Sequence, residues 1–198
     1  MSYSAPALLN IEIIAKQEQA QSGAIKRRFH SWRVLIENSK NKSIQVQLKR
    51  VNDFFNQFEF QSDSNYQGQE DYWKAPDEFV LDGGGDCEDF SIAKYFTLLA
   101  IGVPTKQLRI TYVKSIKLNQ AHMVLAYYPQ PIADPLVLDN LVSDILPASK
   151  RADLVPIYSF NGEGLWLAKT AGKKDKPIGN ATGLSKWRQV LEHMQKGK

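Results

Sequence analysis

The feature that most limits how this chain can fold is the stretch GGGDCEDFSIAKYFTLLAIGVP, residues 83–104, in which three glycines run into the only cysteine, Cys87, and then into an apolar segment. Ile92, Ala93, Phe96 and Leu99 recur at helical spacing, and Gly102 with Pro104 marks a stop, so a buried helix begins at Cys87. A thiol on the first turn of a helix meets unpaired backbone N–H groups and the positive end of the macrodipole, both of which favour a thiolate. A lone cysteine forms no internal disulfide. A buried structural cysteine is the alternative, because free cysteines are among the most buried residues. The glycines and the carboxylates Asp86, Glu88 and Asp89 beside it argue against an apolar burial site.

Upstream, Leu8, Leu9, Ile11, Ile13 and Ile14 fit either helix or strand, and a helix over 7–19 is expected. Ile25, Phe29, Trp32 and Ile36 lie on one face of a helix over 23–38, and Ile44, Leu48, Val51 and Phe55 repeat that spacing. The short polar turn 38–43 makes the two helices antiparallel, and their aromatic stripes read as core. Residues 60–72 turn polar and read as a surface loop, followed by Trp73 and a short helical turn over 76–81 with Pro76 at its start. Trp73 fits either the core or a wall of the substrate cleft on the approach to Cys87.

Downstream, strand-like runs occupy 108–117, 122–128 and 136–139, and a further pair, 157–160 and 165–168, flanks the turn NGEG. Leu184, Trp187, Val190, Leu191 and Met194 mark a last helix. Helices first and hairpin-connected strands after them indicate an α+β fold with an antiparallel sheet. The chain has 198 residues, 43% of them hydrophobic, enough for one compact domain over 1–198. Its expected parts are a helical region at about 7–82, a central helix and sheet at about 83–170, and a C-terminal helix at about 183–196.

Charge and hydropathy exclude some classes. Lys and Arg number 25 against 21 Asp and Glu, a net +4, and the basic runs Lys26-Arg27-Arg28 and Lys173, Lys174, Lys176 lack interleaved nucleic-acid motifs. They read as solvated faces, with no nucleic-acid partner. No stretch approaches the roughly 20 apolar residues that span a bilayer, so the protein is not membrane-embedded. One cysteine suits a reducing cytosol or a periplasm equally.

The loop YPQPIADP separates the second and third strand runs. Centred between Gln130 and Pro131, it places His122 opposite Asp139, with Cβ atoms about 4.5–5.5 Å apart, within reach of an imidazole–carboxylate hydrogen bond. A slip of one residue would break the pairing. His30 and His193, on helices, have no such partner in view. A thiol on a helix start, a histidine on a strand and a carboxylate facing it make a Cys–His–Asp set, in which histidine serves as general base and acid while the carboxylate fixes its tautomer.

The blocks GGGDCEDFSIAKYFTLLAIGVP, LRITYV, AHMVLAYY, PLVLDNL and PIYSFNGEGLWLA, in that order over residues 73–168, resemble the bacterial transglutaminase-like cysteine peptidases, and among them the LapG-type periplasmic proteases. The resemblance implies a papain-like, transglutaminase-like fold with Cys87 as nucleophile, His122 as base and Asp139 as orienting acid. It also implies a calcium-dependent periplasmic endopeptidase that cuts a large surface adhesin (LapA-like) near its N-terminus, after a pair of small residues, releasing cells from a biofilm. The implied inhibitory partner is an inner-membrane receptor (LapD-like) that responds to cyclic di-GMP. Residues 1–6 do not read as the family's secretory signal, so the expectation is that the leader was removed in cloning.

The acids beside Cys87 fit that calcium requirement. Asp86, Glu88 and Asp89 offer hard oxygens, and calcium takes 6–8 of them. Alone they would raise the thiol pKa, whereas a bound divalent cation reverses the local field. Complementing the helix dipole is the plainer role for one or two of them. Acyl transfer to an amine, using the same three residues, is the enzymatic alternative, and a non-catalytic partner-binding module of the same fold is the other.

Overall fold

The computed structural model describes residues 9–62, 72–168 and 175–196. The polar loop over most of 60–72 and the basic residues Lys173 and Lys174 lie outside them.

Three helices open the chain: α1 (Ile11–Ala20), α2 (Gly23–Ser39) and α3 (Ile44–Phe55). Asn10 caps α1, its Oδ1 accepting the Glu12 N–H at 3.0 Å. On α2 and α3 the stripes read from sequence are the buried ones: Phe29, Trp32 and Ile36 on the first, Leu48, Val51 and Phe55 on the second. The residues His30 and Arg28 of α2 both have partners, although His30 is exposed. The imidazole Nδ1 of His30 lies 2.8 Å from Glu18 Oε1. Arg28 donates through Nε to the Val80 carbonyl at 2.7 Å and through Nη2 to the Leu81 carbonyl, capping the short helix α4 (Pro76–Asp82).

Next comes α5 (Cys87–Ile101), the helix anticipated at Cys87. It is buried on every side, with α2, α3 and α4 on one flank and the main sheet on the other. That explains why Phe90, Ile92, Ala93, Phe96, Leu98, Leu99 and Ile101 do not confine themselves to one stripe: a helix inside a core is apolar all round. Trp32 donates its indole N–H to Thr97 Oγ1 at 2.9 Å, tying α2 to this helix.

The main sheet contains β3 (Leu108–Ser115), β4 (Gln120–Tyr127), β5 (Leu136–Leu138), β6 (Leu146–Pro147), β7 (Leu154–Phe160), β8 (Leu165–Leu167) and β9 (Lys176–Gly179). Every pairing in it is antiparallel, and the order is β6-β5-β4-β3-β7-β8-β9. A separate parallel bridge joins β1 (Glu59–Phe60) to β2 (Gly84–Gly85). The strands β1, β2, β6 and β9 escaped the sequence reading because two to four residues carry no periodicity.

The β4–β5 register differs from the expected one. Leu125 faces Leu138, and Tyr127 faces Leu136, two residues out of step with a direct His122–Asp139 pair. A slip of two preserves which face each side chain takes, so His122 and Asp139 become diagonal neighbours and still meet.

The chain closes with α6 (Ser185–Lys196). Its Trp187 is stacked on Phe96 with ring centroids 5.5 Å apart and meets Tyr95 and Phe160 edge-on at 5.7 and 5.3 Å, so the last helix docks where α5 meets the sheet.

Candidate active site

The turn that presents Cys87 is built by glycine and by one buried acid. Gly83 ends α4 at φ 84°, a left-handed conformation that costs glycine nothing. At Gly85 the reason is space: a Cβ there would lie 2.3 Å from Asp89 Oδ2. Asp89 is tucked beneath the turn, fully buried, with Oδ1 accepting the Lys74 backbone N–H at 2.7 Å and Oδ2 accepting that of Asp86 at 3.2 Å. Asp86 thus becomes the N-cap of α5 and Cys87 its first residue.

Cys87, His122, Trp73, Tyr112, Tyr158 and Leu184 share a cleft of about 440 Å³. Trp73 belongs both to this wall and to the core, because its ring stacks on Phe160 at 5.7 Å. The start of α6 supplies another part of the wall through Ser185 and Lys186. A larger, shallower groove of about 640 Å³ between α2 and α3 is lined by none of Cys87, His122 and Asp139.

His122 is 3% exposed and its Nε2 lies 2.8 Å from Asp139 Oδ1. An ionised carboxylate only accepts, so Nε2 carries the proton and Nδ1 is left to receive one. Asp139, just past the end of β5, is 1% exposed and has every oxygen engaged: Oδ1 also accepts the Leu141 N–H at 3.0 Å, and Oδ2 accepts Arg151 Nη2 at 2.7 Å. Burial works against its ionisation, yet the His122 hydrogen bond and charge, the Leu141 N–H and Arg151 together hold it at about 2. Arg151 is in turn fixed by Asp153, which accepts from its Nε at 2.9 Å and its Nη2 at 2.8 Å.

The thiol is not poised by the helix start alone. Burial pushes Cys87 well up, the charge and hydrogen bond of Glu88 and the charge of Asp86 push in the same direction, and the Met123 backbone N–H opposes them. Cys87 Sγ donates to Glu88 Oε2 at 3.1 Å. Desolvation and two adjacent carboxylates therefore outweigh the macrodipole in this arrangement.

The three acids of the sequence do not act as one set. Asp89 faces the backbone, and among the described residues no three His, Cys, Asp or Glu side chains converge as a metal site. Asp86 and Glu88 remain on either side of Cys87. Two hard carboxylates on one turn fit calcium, whose remaining ligands backbone oxygens and water can supply.

Several residues of the site were not picked out from sequence. Arg151 was invisible because its partner Asp139 is brought to it only by β5 and β6. Lys94 did carry a signal, as the only charged residue in the largely apolar FSIAKYFTLLAI.

Residues 26–167 match the family model of the bacterial transglutaminase-like cysteine proteinases. LapG of Legionella pneumophila is 52% identical over 94% of this chain and 98% of its own, with a TM-score of 0.85. Its calcium-bound form aligns over 94% of this chain and 99% of its own at 0.84, and its EGTA-treated form over 94% and 98% at 0.86, both at the same identity. Comparison with curated proteins gave no match. The likeness extends to the whole architecture, helices against an antiparallel sheet, and makes the protein a LapG-like cysteine protease. By this family match and this identity over nearly its full length, the chain belongs to the bacterial transglutaminase-like cysteine proteinases.

Proposed function

We propose that the protein is a calcium-dependent cysteine endopeptidase of the periplasm that cleaves the N-terminal region of a large surface adhesin and so releases cells from a biofilm. The observation that carries the reading is the buried His122–Asp139 hydrogen bond at 2.8 Å beside the cleft that holds Cys87. His122 Nδ1 takes the Cys87 proton, and the sulfur attacks the scissile carbonyl to give a tetrahedral oxyanion. The Cys87 backbone N–H, at the first turn of α5, is suited to receive that charge. The imidazolium, held by Asp139, then returns its proton to the leaving amine, and water hydrolyses the acyl-enzyme by the reverse sequence. Trp73 and Tyr112 bound the space where the substrate chain lies.

The calcium-bound form of the Legionella relative supports a calcium ion in the reading, and Asp86 and Glu88, the two carboxylates beside Cys87, would hold it. When bound, the ion supplies positive charge that offsets the two carboxylates raising the Cys87 pKa. Control by an inner-membrane receptor responding to cyclic di-GMP belongs to the same reading, and rests on the sequence resemblance.

The test is incubation of the protein with an adhesin N-terminal fragment, with and without chelator, followed by mass analysis. Two new peptide ends are expected, lost in Cys87→Ala and on chelation, and restored by calcium. An intact fragment with the wild-type protein and calcium, or a product carrying a new amide bond, would overturn the reading.

A further inference from the structure

Lys94 lies inside α5, 1% exposed and not among the residues that line the cleft, yet it is connected to the acid of the site. Its Nζ donates to Asn52 Oδ1 at 2.8 Å and to Asn56 Oδ1 at 2.7 Å. The two asparagines sit one turn apart at the end of α3, on one side of it. Their amide nitrogens point onward: Asn56 Nδ2 donates to the backbone carbonyl of Asp139 at 2.8 Å, and Asn52 Nδ2 to that of Ser143 at 3.0 Å. The loop gripped at these two points also contains Leu141, whose N–H bonds Asp139 Oδ1.

We propose that Lys94, acting through Asn52 and Asn56, is a positioning residue for Asp139: it sets the direction of both carboxamides, and they hold the loop that carries the acid. A carboxamide has an acceptor end and a donor end, and inside a core it can face either way. A lysine ammonium has three N–H donors and no acceptor, so it serves both asparagines and can bond only their oxygens. Both Oδ1 atoms must therefore face Lys94, which leaves both NH₂ groups for the carbonyls. With either amide reversed, its oxygen would meet a carbonyl oxygen, and a buried acceptor would lose its donor. The arrangement also links the two halves of the chemistry. Lys94 belongs to the helix that carries Cys87 at its start, so the nucleophile's helix and the acid's loop are held by one buried amine. A hydrophobic side chain would fill the same space at lower desolvation cost but would leave the two asparagine oxygens unmatched.

This inference rests on the reading of Asp139 as the acid that orients His122, and the experiment separates the two. Full-length Lys94→Met and Asn56→Leu are compared with Asp139→Asn and wild type in one buffer, well below each variant's unfolding midpoint. Two readouts do not require the substrate: the rate of Cys87 alkylation by iodoacetamide, and the downfield proton resonance of the His122 Nε2–H shared with Asp139. Lys94→Met and Asn56→Leu are expected to slow alkylation roughly tenfold to a hundredfold, the scale of a small misplacement in a preorganised site, and to shift or lose the resonance. A purely structural Lys94 would lower the midpoint and leave both readouts of the folded protein at wild-type values, which overturns the inference. Should Lys94→Met not fold, Asn56→Leu decides, since it removes the bond to Asp139 while Lys94 keeps Asn52. If Asp139→Asn itself changes neither readout, the reading of the acid fails; if it changes both and the folded Lys94 and Asn56 variants change neither, the inference alone fails.

Discussion

Asp139 follows a strand of three residues, and five separate groups converge on it: His122, Leu141 and Arg151 at the carboxylate, Asn56 at the carbonyl, and the charge of Lys94 nearby. Those contacts make it a stability group. Its pKa is held at about 2 against an ordinary 3.8, so the contribution is fully present above about pH 4 and is lost as pH falls through about 2. By linkage this amounts to roughly 2 kcal/mol. Urea unfolding at a series of pH values should show that acid-sensitive component in the wild type and not in Asp139→Asn; equal slopes between pH 4 and 2 would contradict it. At this scale the sequence was informative about identity and poor about partners. Cys87, His122 and Asp139 were legible as a thiol, an imidazole and a carboxylate, whereas Asn52 and Asn56 acquire meaning only from neighbours far along the chain.

The turn from α4 into α5 shows how an element positions a reactive group. The triplet Gly83–Gly85 reads in sequence as a flexible punctuation mark, but the backbone is tightly held: Gly85 is pressed against Asp89, whose carboxylate clasps the N–H groups of Lys74 and Asp86. Gly85→Ala would put its Cβ 2.7 Å from the Asp89 Cβ, an atom that cannot swing away. The expected result is about 1–3 kcal/mol of lost stability, as for other overpacked sites, together with a marked fall in Cys87 alkylation rate at temperatures where the variant is folded. Unfolding midpoint and alkylation rate check the two parts, and a wild-type alkylation rate in folded protein would show that the turn tolerates the methyl. The same turn explains why three neighbouring acids were read as one set. Adjacency in sequence put Asp86, Glu88 and Asp89 together, and helix geometry then sent Asp89 inward and left the other two beside the thiol.

Across the whole molecule, the cleft is assembled from parts that lie far apart in the chain, from Trp73 to Lys186. Trp73 approaches from before α4, Tyr112 and His122 from the sheet, and Leu184 from the start of α6, which is anchored by the packing of Trp187 on Tyr95, Phe96 and Phe160. Trp187→Ala is expected to cost about 3–5 kcal/mol, the range for emptying a buried tryptophan site. Because α6 carries part of the cleft wall, KM for a peptide substrate should rise in the folded variant more than kcat falls. Chemical denaturation and steady-state kinetics test this, and an unchanged KM would show that α6 serves the core alone. The amino-acid sequence by itself determined the helix stripes and the α+β class, and singled out Cys87, His122 and Asp139 as candidates, because periodicity, punctuation and chemical type are local properties of a chain. Tertiary structure alone decided the two-residue shift between β4 and β5, the inward turn of Asp89, and the Lys94 and Arg151 supports behind Asp139. Those depend on which distant groups compete for the same few buried hydrogen-bond partners, and no local window of residues contains that competition.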